Sequence, residues 1–155
     1  MMRRRFRSPI GLDCNVTIEV RDAASGRLLR RERQHNLVTL AGRNLIRDFL
    51  NGTASSGTIS HLAVGTGTAA PTANDTALGT EVFRDAVTKR TPDAGKLQVQ
   101  YYLASTAANG SNLTEAMLTT VASGGLCFAR VTFQAIAKTA SITMTFTWDV
   151  NVNAG

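Results

Sequence analysis

A mainly β domain, an antiparallel sandwich or open barrel carrying one helix behind an extended N-terminal arm, is the fold class this sequence predicts. Three observations carry the prediction. Ile142, Met144, Phe146, Trp148, Val150 and Val152 alternate with Thr143, Thr145, Thr147, Asp149 and Asn151, the period of a strand with one buried face. Turn-forming clusters, among them Pro92-Asp93-Ala94-Gly95, Asn109-Gly110 and Gly124-Gly125, separate short apolar stretches. Charged residues make up only 18% of the chain against 43% apolar, and Thr, Ala, Gly, Ser and Asn are abundant, which suits strands and turns better than long solvated helices. At 155 residues one core suffices, so a single domain is expected over residues 14–155, preceded by a basic arm over residues 1–13.

The elements follow in order. Cys14 to Arg21 alternates apolar and polar as a half-buried strand, Asp22 to Gly26 supplies a turn, and Arg27 to Val38 reads as the hairpin partner with a highly charged middle. From Thr39 the period changes. Ala41, Leu45 and Phe49 form one helical row, with Ile46 and Leu50 beside it and Arg43, Asn44, Arg47 and Asp48 opposite. This predicts a helix over about residues 40–51 that stops at Asn51-Gly52. Ile59 to Val64 is a short strand leading into Gly65-Thr66-Gly67-Thr68 and the turn-rich run Pro71 to Asp75. Further strands are predicted at Thr80 to Arg90, Lys96 to Ala104, Leu113 to Thr119 and Gly125 to Phe133, before the regular strand that begins at Ile142.

The formal net charge of +6 is unevenly placed: residues 1–47 hold eleven Lys/Arg against four Asp/Glu, whereas residues 48–155 hold six against seven. The excess belongs to Arg3, Arg4, Arg5 and Arg7, and then to Arg27, Arg30, Arg31 and Arg33. A basic arm can bind nucleic acid or lie along an acidic protein neighbour. With no aromatic platform beyond Phe6, the neighbour is favoured, and Arg3, Arg4, Arg5, Phe6, Arg7 and Ile10 are the candidate assembly residues. The Arg-rich start lacks the apolar run of a secretion signal, and no stretch approaches the roughly 18 apolar residues of a membrane span, so a soluble protein is expected. Asn-x-Thr triplets begin at Asn15, Asn51, Asn74 and Asn112 and reflect a Thr-rich composition. Cys14 and Cys127 fall in phase with inward-facing residues, which favours burial over reactivity, although a single disulfide would use the same pair.

Motifs of chemistry are weak. Gly65-Thr66-Gly67 lacks the third glycine of a dinucleotide loop, and Ala70-Pro71 follows where a helix should open. A tight connection needing positive φ or close backbone approach accounts for it better. His35 and His61 have no second ligand at a metal spacing. No nucleophile elbow marks a catalytic serine, and Asp75, Glu81, Asp85 and Glu115 are dispersed among turns and strands. The sequence therefore predicts a non-enzyme without cofactor or metal.

One resemblance runs along about residues 15–152. Its pieces are His35-Asn36-Leu37-Val38, Ala41-Gly42-Arg43-Asn44-Leu45-Ile46-Arg47-Asp48 and Ile59-Ser60-His61-Leu62-Ala63-Val64-Gly65-Thr66-Gly67. Asp75-Thr76-Ala77-Leu78, Glu81-Val82-Phe83-Arg84, Ala108-Asn109-Gly110, Leu113-Thr114-Glu115-Ala116, Ala129-Arg130, Lys138-Thr139 and Phe146-Thr147-Trp148 follow. In their order and spacing these resemble a family of small tailed-bacteriophage virion proteins described as tail-fibre, baseplate or head-decoration components. Where that pattern has a glycine, this chain has Met117, so a different turn is expected there. The resemblance implies an assembly role in a virion and no reaction. The chain has neither sustained heptads nor a repetitive shaft, which favours a capsid decoration (cement) protein on the outer head surface, as a homo-oligomer, with a trimer favoured. The expected partner is the major capsid protein. A tail-fibre or baseplate adaptor domain that contacts tail proteins is the alternative, and a basic-arm nucleic-acid binder is the third reading.

Overall fold

The computed structural model describes residues 10–54 and 57–154. Two five-stranded antiparallel sheets face each other as an open sandwich with one short helix. The first sheet is ordered β2-β1-β10-β7-β6, built from β1 (Ile10–Asp22), β2 (Leu28–His35), β6 (Lys89–Asp93), β7 (Lys96–Leu103) and β10 (Ile142–Ala154). The second is ordered β3-β9-β8-β4-β5, from β3 (Leu37–Val38), β4 (His61–Gly65), β5 (Glu81–Ala86), β8 (Asn112–Thr119) and β9 (Cys127–Ala137).

β1 and β10 form the backbone of the first sheet, in continuous register from Ile10↔Ala154 to Asp22↔Ile142. Residues 10–13, assigned to the arm from sequence, are therefore strand. The alternating face of β10 is fully inside: Met144, Phe146 and Trp148 are solvent-inaccessible and meet Val16, Ile18 and Val20 of β1 on one side and Val99, Tyr101 and Leu103 of β7 on the other. Phe146 also stacks obliquely on Phe133 of β9, with ring centroids 6.2 Å apart.

Two stretches read as single strands are each divided between the sheets. Within Arg27 to Val38, the Asn36 N–H still donates to Cys14 in the first sheet, but Leu37 pairs with Arg130 in the second. Within Thr80 to Arg90, Val87 N–H donates to Ser60 and the next residue, Thr88, donates to Gln100 across the sandwich. The chain crosses between layers at both points without a turn, so local composition carries no mark of it.

The second sheet is covered on both faces. Ala116, Leu118, Ala129 and Val131 pack into the main core, whereas Ala63, Met117 and Cys127 form a separate cluster with Leu78 from the β4–β5 connection. A strand buried on both sides loses its period of two, and this explains the apolar run Ala116-Met117-Leu118. Met117 lies within β8, paired with Ala63 and Arg130, so no turn occurs where the glycine was expected.

α1 (Leu40–Leu50) is capped by Thr39, whose hydroxyl accepts from Gly42 N–H at 3.0 Å and donates to the Cys127 carbonyl. It closes at Asn51, with Gly52 at φ +71°. Gly42 lies against β9, where an added Cβ would stand 2.3 Å from the Phe128 carbonyl oxygen. Gly42→Ala should therefore destabilise by about 1–3 kcal/mol through overpacking, although helix propensity alone favours alanine by roughly 1 kcal/mol. Urea unfolding gives the sign, and a stabilised variant would show that α1 can lift from β9 freely.

β2 is an edge strand whose inward phase is polar. Arg30 and Glu32 pair at 2.6 Å, and the Arg30 guanidinium also reaches the carbonyls of Gln134 and Ala135 on β9. Inward-pointing charges of this kind discourage another strand from pairing with the edge.

Candidate functional site

The connection between β4 and β5, residues 66–80, is held to the second sheet by a buried ionic clamp. Cross-strand pairing sets its parts. Glu115 stands opposite Gly65, and Arg130 stands opposite Met117, which places Arg130 diagonal to Glu115 on the same face. The Glu115 side chain is inaccessible to solvent and the Arg130 side chain is 4% exposed. One Glu115 oxygen accepts from the N–H groups of Gly67 and Thr80, both at 2.8 Å. The other accepts from Gly79 N–H at 2.9 Å and from Arg130 Nε and Nη2 at 3.0 and 2.8 Å. Arg130 continues to Asp75 at 2.7 Å and to the Ala69 carbonyl at 2.9 Å. Asp75 in turn accepts from the Thr72 N–H and hydroxyl.

The clamp explains the glycines. An added Cβ at Gly65 would lie 2.4 Å from the Thr80 carbonyl oxygen, and one at Gly67 would lie 2.5 Å from a Glu115 carboxylate oxygen. Close approach, not positive φ, is what these positions require. The N–H donors that a phosphate-cradling loop would need are spent here on the protein's own carboxylate.

Burial alone would raise the Glu115 pKa, but the three backbone donors and Arg130 outweigh it and hold the carboxyl below its ordinary value. Asp75 is likewise held low, because its bonds from Thr72 and Arg130 outweigh desolvation. Sequence reasoning left these two carboxylates among dispersed acids and missed the clamp. One signal was available: Glu115 and Arg130 each interrupt an otherwise apolar strand, and opposite charges in two buried strands need partners.

The remaining sequence candidates are placed as follows. Cys14 and Cys127 are both free and buried in different clusters, and burial pushes each thiol up to about 12, so neither is a reactive thiolate. His35 is exposed beside Asp13 and Asn15, and His61 contacts the Ser60 hydroxyl. Among the described residues, no group of three or more His, Cys, Asp or Glu is placed to hold a metal ion, and no helix is long and apolar enough to cross a membrane. Arg3, Arg4, Arg5, Phe6 and Arg7 lie outside the described residues, whereas Ile10 opens β1 opposite Ala154.

The strand end next to that arm borders an apolar cleft of about 440 Å³, lined by Leu12 of β1, Leu45, Ile46 and Phe49 of α1, Ile59, Leu97, Phe128, and Val150 and Val152 of β10. The apolar row of α1 outruns the body it packs on. Leu45 and Ile46 pack against the core, but Phe49 is 68% exposed and Leu50 is 80% exposed. Large aromatic and aliphatic groups left bare around one concavity mark a contact surface.

The basic charge is partly neutralised within the fold. Glu19 accepts from Arg21 and Arg31 at 2.9 and 2.8 Å, and Glu32 pairs with Arg30, which leaves Arg27 and Arg33 of that segment without a carboxylate partner among the described residues. Comparison of the chain with protein-family models, with curated proteins and with solved structures found no match.

Proposed function

We propose that this chain is a non-enzymatic structural component of a tailed-bacteriophage virion, a capsid decoration protein that binds the outer head surface as a homo-oligomer and stabilises the shell. The observation that carries the assembly role is the apolar cleft with its bare Phe49 and Val152. It stands at the end of the fold from which the Arg-rich arm departs. The virion setting is supported by the ordered resemblance along residues 15–152, and the clamp gives that resemblance physical content. The motifs around Gly65, Asp75, Glu115 and Arg130 are the parts of one buried network that shapes the 66–80 loop. Pairing of the β2 residues Arg30 and Arg31 with Glu32 and Glu19 favours a protein partner over nucleic acid, since it neutralises cations of that basic segment.

The arm is the proposed attachment element towards acidic capsid neighbours. Residues 1–9 precede β1 and carry no alternating apolar pattern in their sequence, so their deletion should leave the domain folded. Binding to particles stripped of the protein should weaken, and should become less sensitive to salt, because each exposed arginine pair contributes less than about 1 kcal/mol and is screened. The test is titration of stripped particles with intact and truncated chains across a salt series. Equal affinities and equal salt slopes would remove the arm from the attachment surface. Counting copies in purified virions tests the location: many copies per head support decoration, whereas a handful that follow the tails through a gradient would assign the chain to a tail-fibre or baseplate role.

A further inference from the structure

We infer that the apolar cleft beside β1 is one half of a two-fold interface, in which a second copy of this chain seats its Phe49 and the end of its α1. The inference deepens the assembly reading and rests on it. Hole and knob lie on one patch. Phe49 lines the cleft and stands 68% exposed, and Leu50, one helical turn beyond the cleft-lining Ile46, is 80% exposed. Both belong to the free end of α1, since the start of the helix is fixed by the Thr39 cap and by the contact of Gly42 with Phe128. The opposite rim is set in advance. Val152, 52% exposed, donates its N–H to the Gly95 carbonyl at 2.7 Å, which ties the β6–β7 turn to the end of β10 and gives the cleft a preformed wall.

Charge selects a second copy over a capsid neighbour. A patch that meets itself across a two-fold axis repels itself if its charge is unbalanced. This patch is balanced. The charged residues that line the cleft are Asp93 and Lys96, one of each sign, and on the same helix end Arg47 is paired with Asp48 at 2.6 Å. Asp93 and Lys96 are cross-strand neighbours in the β6–β7 hairpin, yet they are not paired with each other: Asp93 accepts from the Ala94 N–H, and Lys96 lies 3.8 Å from Asp149. Across a two-fold axis Asp93 of one copy meets Lys96 of the other, and the reverse contact forms with it. An acidic capsid neighbour would call for an excess of basic residues in the lining, which the cleft lacks. The unit that results is a dimer joined by identical surfaces, in place of the expected trimer.

Sedimentation velocity of the full chain over a concentration series tests this. The parent should sediment as a concentration-dependent dimer. Asp93→Lys and Lys96→Asp should each weaken dimerisation roughly tenfold or more, because each sets like charges against each other across the axis. An equimolar mixture of the two variants should restore the dimer, since every contact between unlike chains then joins opposite charges. Loss of folding cannot produce recovery on mixing. Phe49→Glu should abolish the dimer, with circular dichroism confirming a folded chain; should it not fold, Leu50→Glu takes its place. The inference is overturned if the parent is monomeric at every concentration, if Phe49→Glu dimerises like the parent, or if the mixture stays as monomeric as its components. Titration of stripped particles is a separate measurement. If Phe49→Glu loses particle binding while dimerisation is unaffected, the cleft belongs to a capsid neighbour, which overturns the two-fold contact and leaves the virion reading standing.

Discussion

Glu115→Ala is expected to cost about 3–5 kcal/mol, the range found when one partner of a buried charged pair is removed. The loss has two sources. Arg130, with a side chain only 4% exposed, keeps Asp75 but loses the carboxylate that takes two of its hydrogen bonds. The N–H groups of Gly67, Gly79 and Thr80 lose their acceptor in a place where Gly65 and Gly67 press close against it. Glu115→Gln keeps the shape but turns an NH₂ towards those donors, so it should lose most of the same stability. Glu115→Leu combined with Arg130→Leu removes both charges, yet the three orphaned N–H groups remain and recovery should be partial.

The pH dependence has a definite sign. Glu115 and Asp75 are held below their ordinary values of 4.5 and 3.8 in the fold, so the stability they contribute is present above those values and is lost as pH falls through the lower, folded ones. Urea midpoints of the parent and Glu115→Gln should therefore differ most near neutrality and converge in acid. A gap that stays constant down to about pH 2 would show that folding leaves the Glu115 pKa unshifted.

What could be read from the sequence follows from how each element is buried. β10 and β1 cover one side of the core and expose the other, so alternation locates them and singles out Trp148 and Phe146. Thr39 and Gly52 bound α1 by ordinary capping chemistry. The strands of the second sheet carry apolar residues on both faces because residues 66–80 lie over one of them, and alternation fails there for a physical reason. The crossings at Asn36 and at Val87-Thr88 depend on partners far along the chain. The clamp depends on a β8–β9 register that irregularities shift between Leu113 and Glu115 and again between Leu118 and Thr119. Helical periodicity also carried the apolar row of α1 through Phe49 and Leu50, but periodicity cannot tell whether the body extends far enough to cover them.

Trp148→Ala should be comparably severe, at about 3–5 kcal/mol of the roughly 5–15 kcal/mol that holds a domain of this kind together. Trp148 is the largest fully buried side chain and sits mid-strand between Val16 on β1 and Val99 on β7, so its removal opens a cavity where three strands of the first sheet meet. The neighbouring strands are fixed by continuous ladders on both sides and cannot collapse far into the space. A second substitution separates volume from hydrogen bonding. The indole Nε1 has no hydrogen-bond partner among the described residues, so its burial weighs against the native state. Trp148→Phe removes that orphan donor along with part of the ring and should lose less than about 1.5 kcal/mol. Since Trp148 is the only tryptophan, the unfolding series must be followed by far-ultraviolet circular dichroism instead of indole fluorescence. Equal losses for the alanine and phenylalanine variants would mean that the indole N–H is satisfied and contributes stability, and that the interior of the first sheet is less apolar around β10 than its packing indicates.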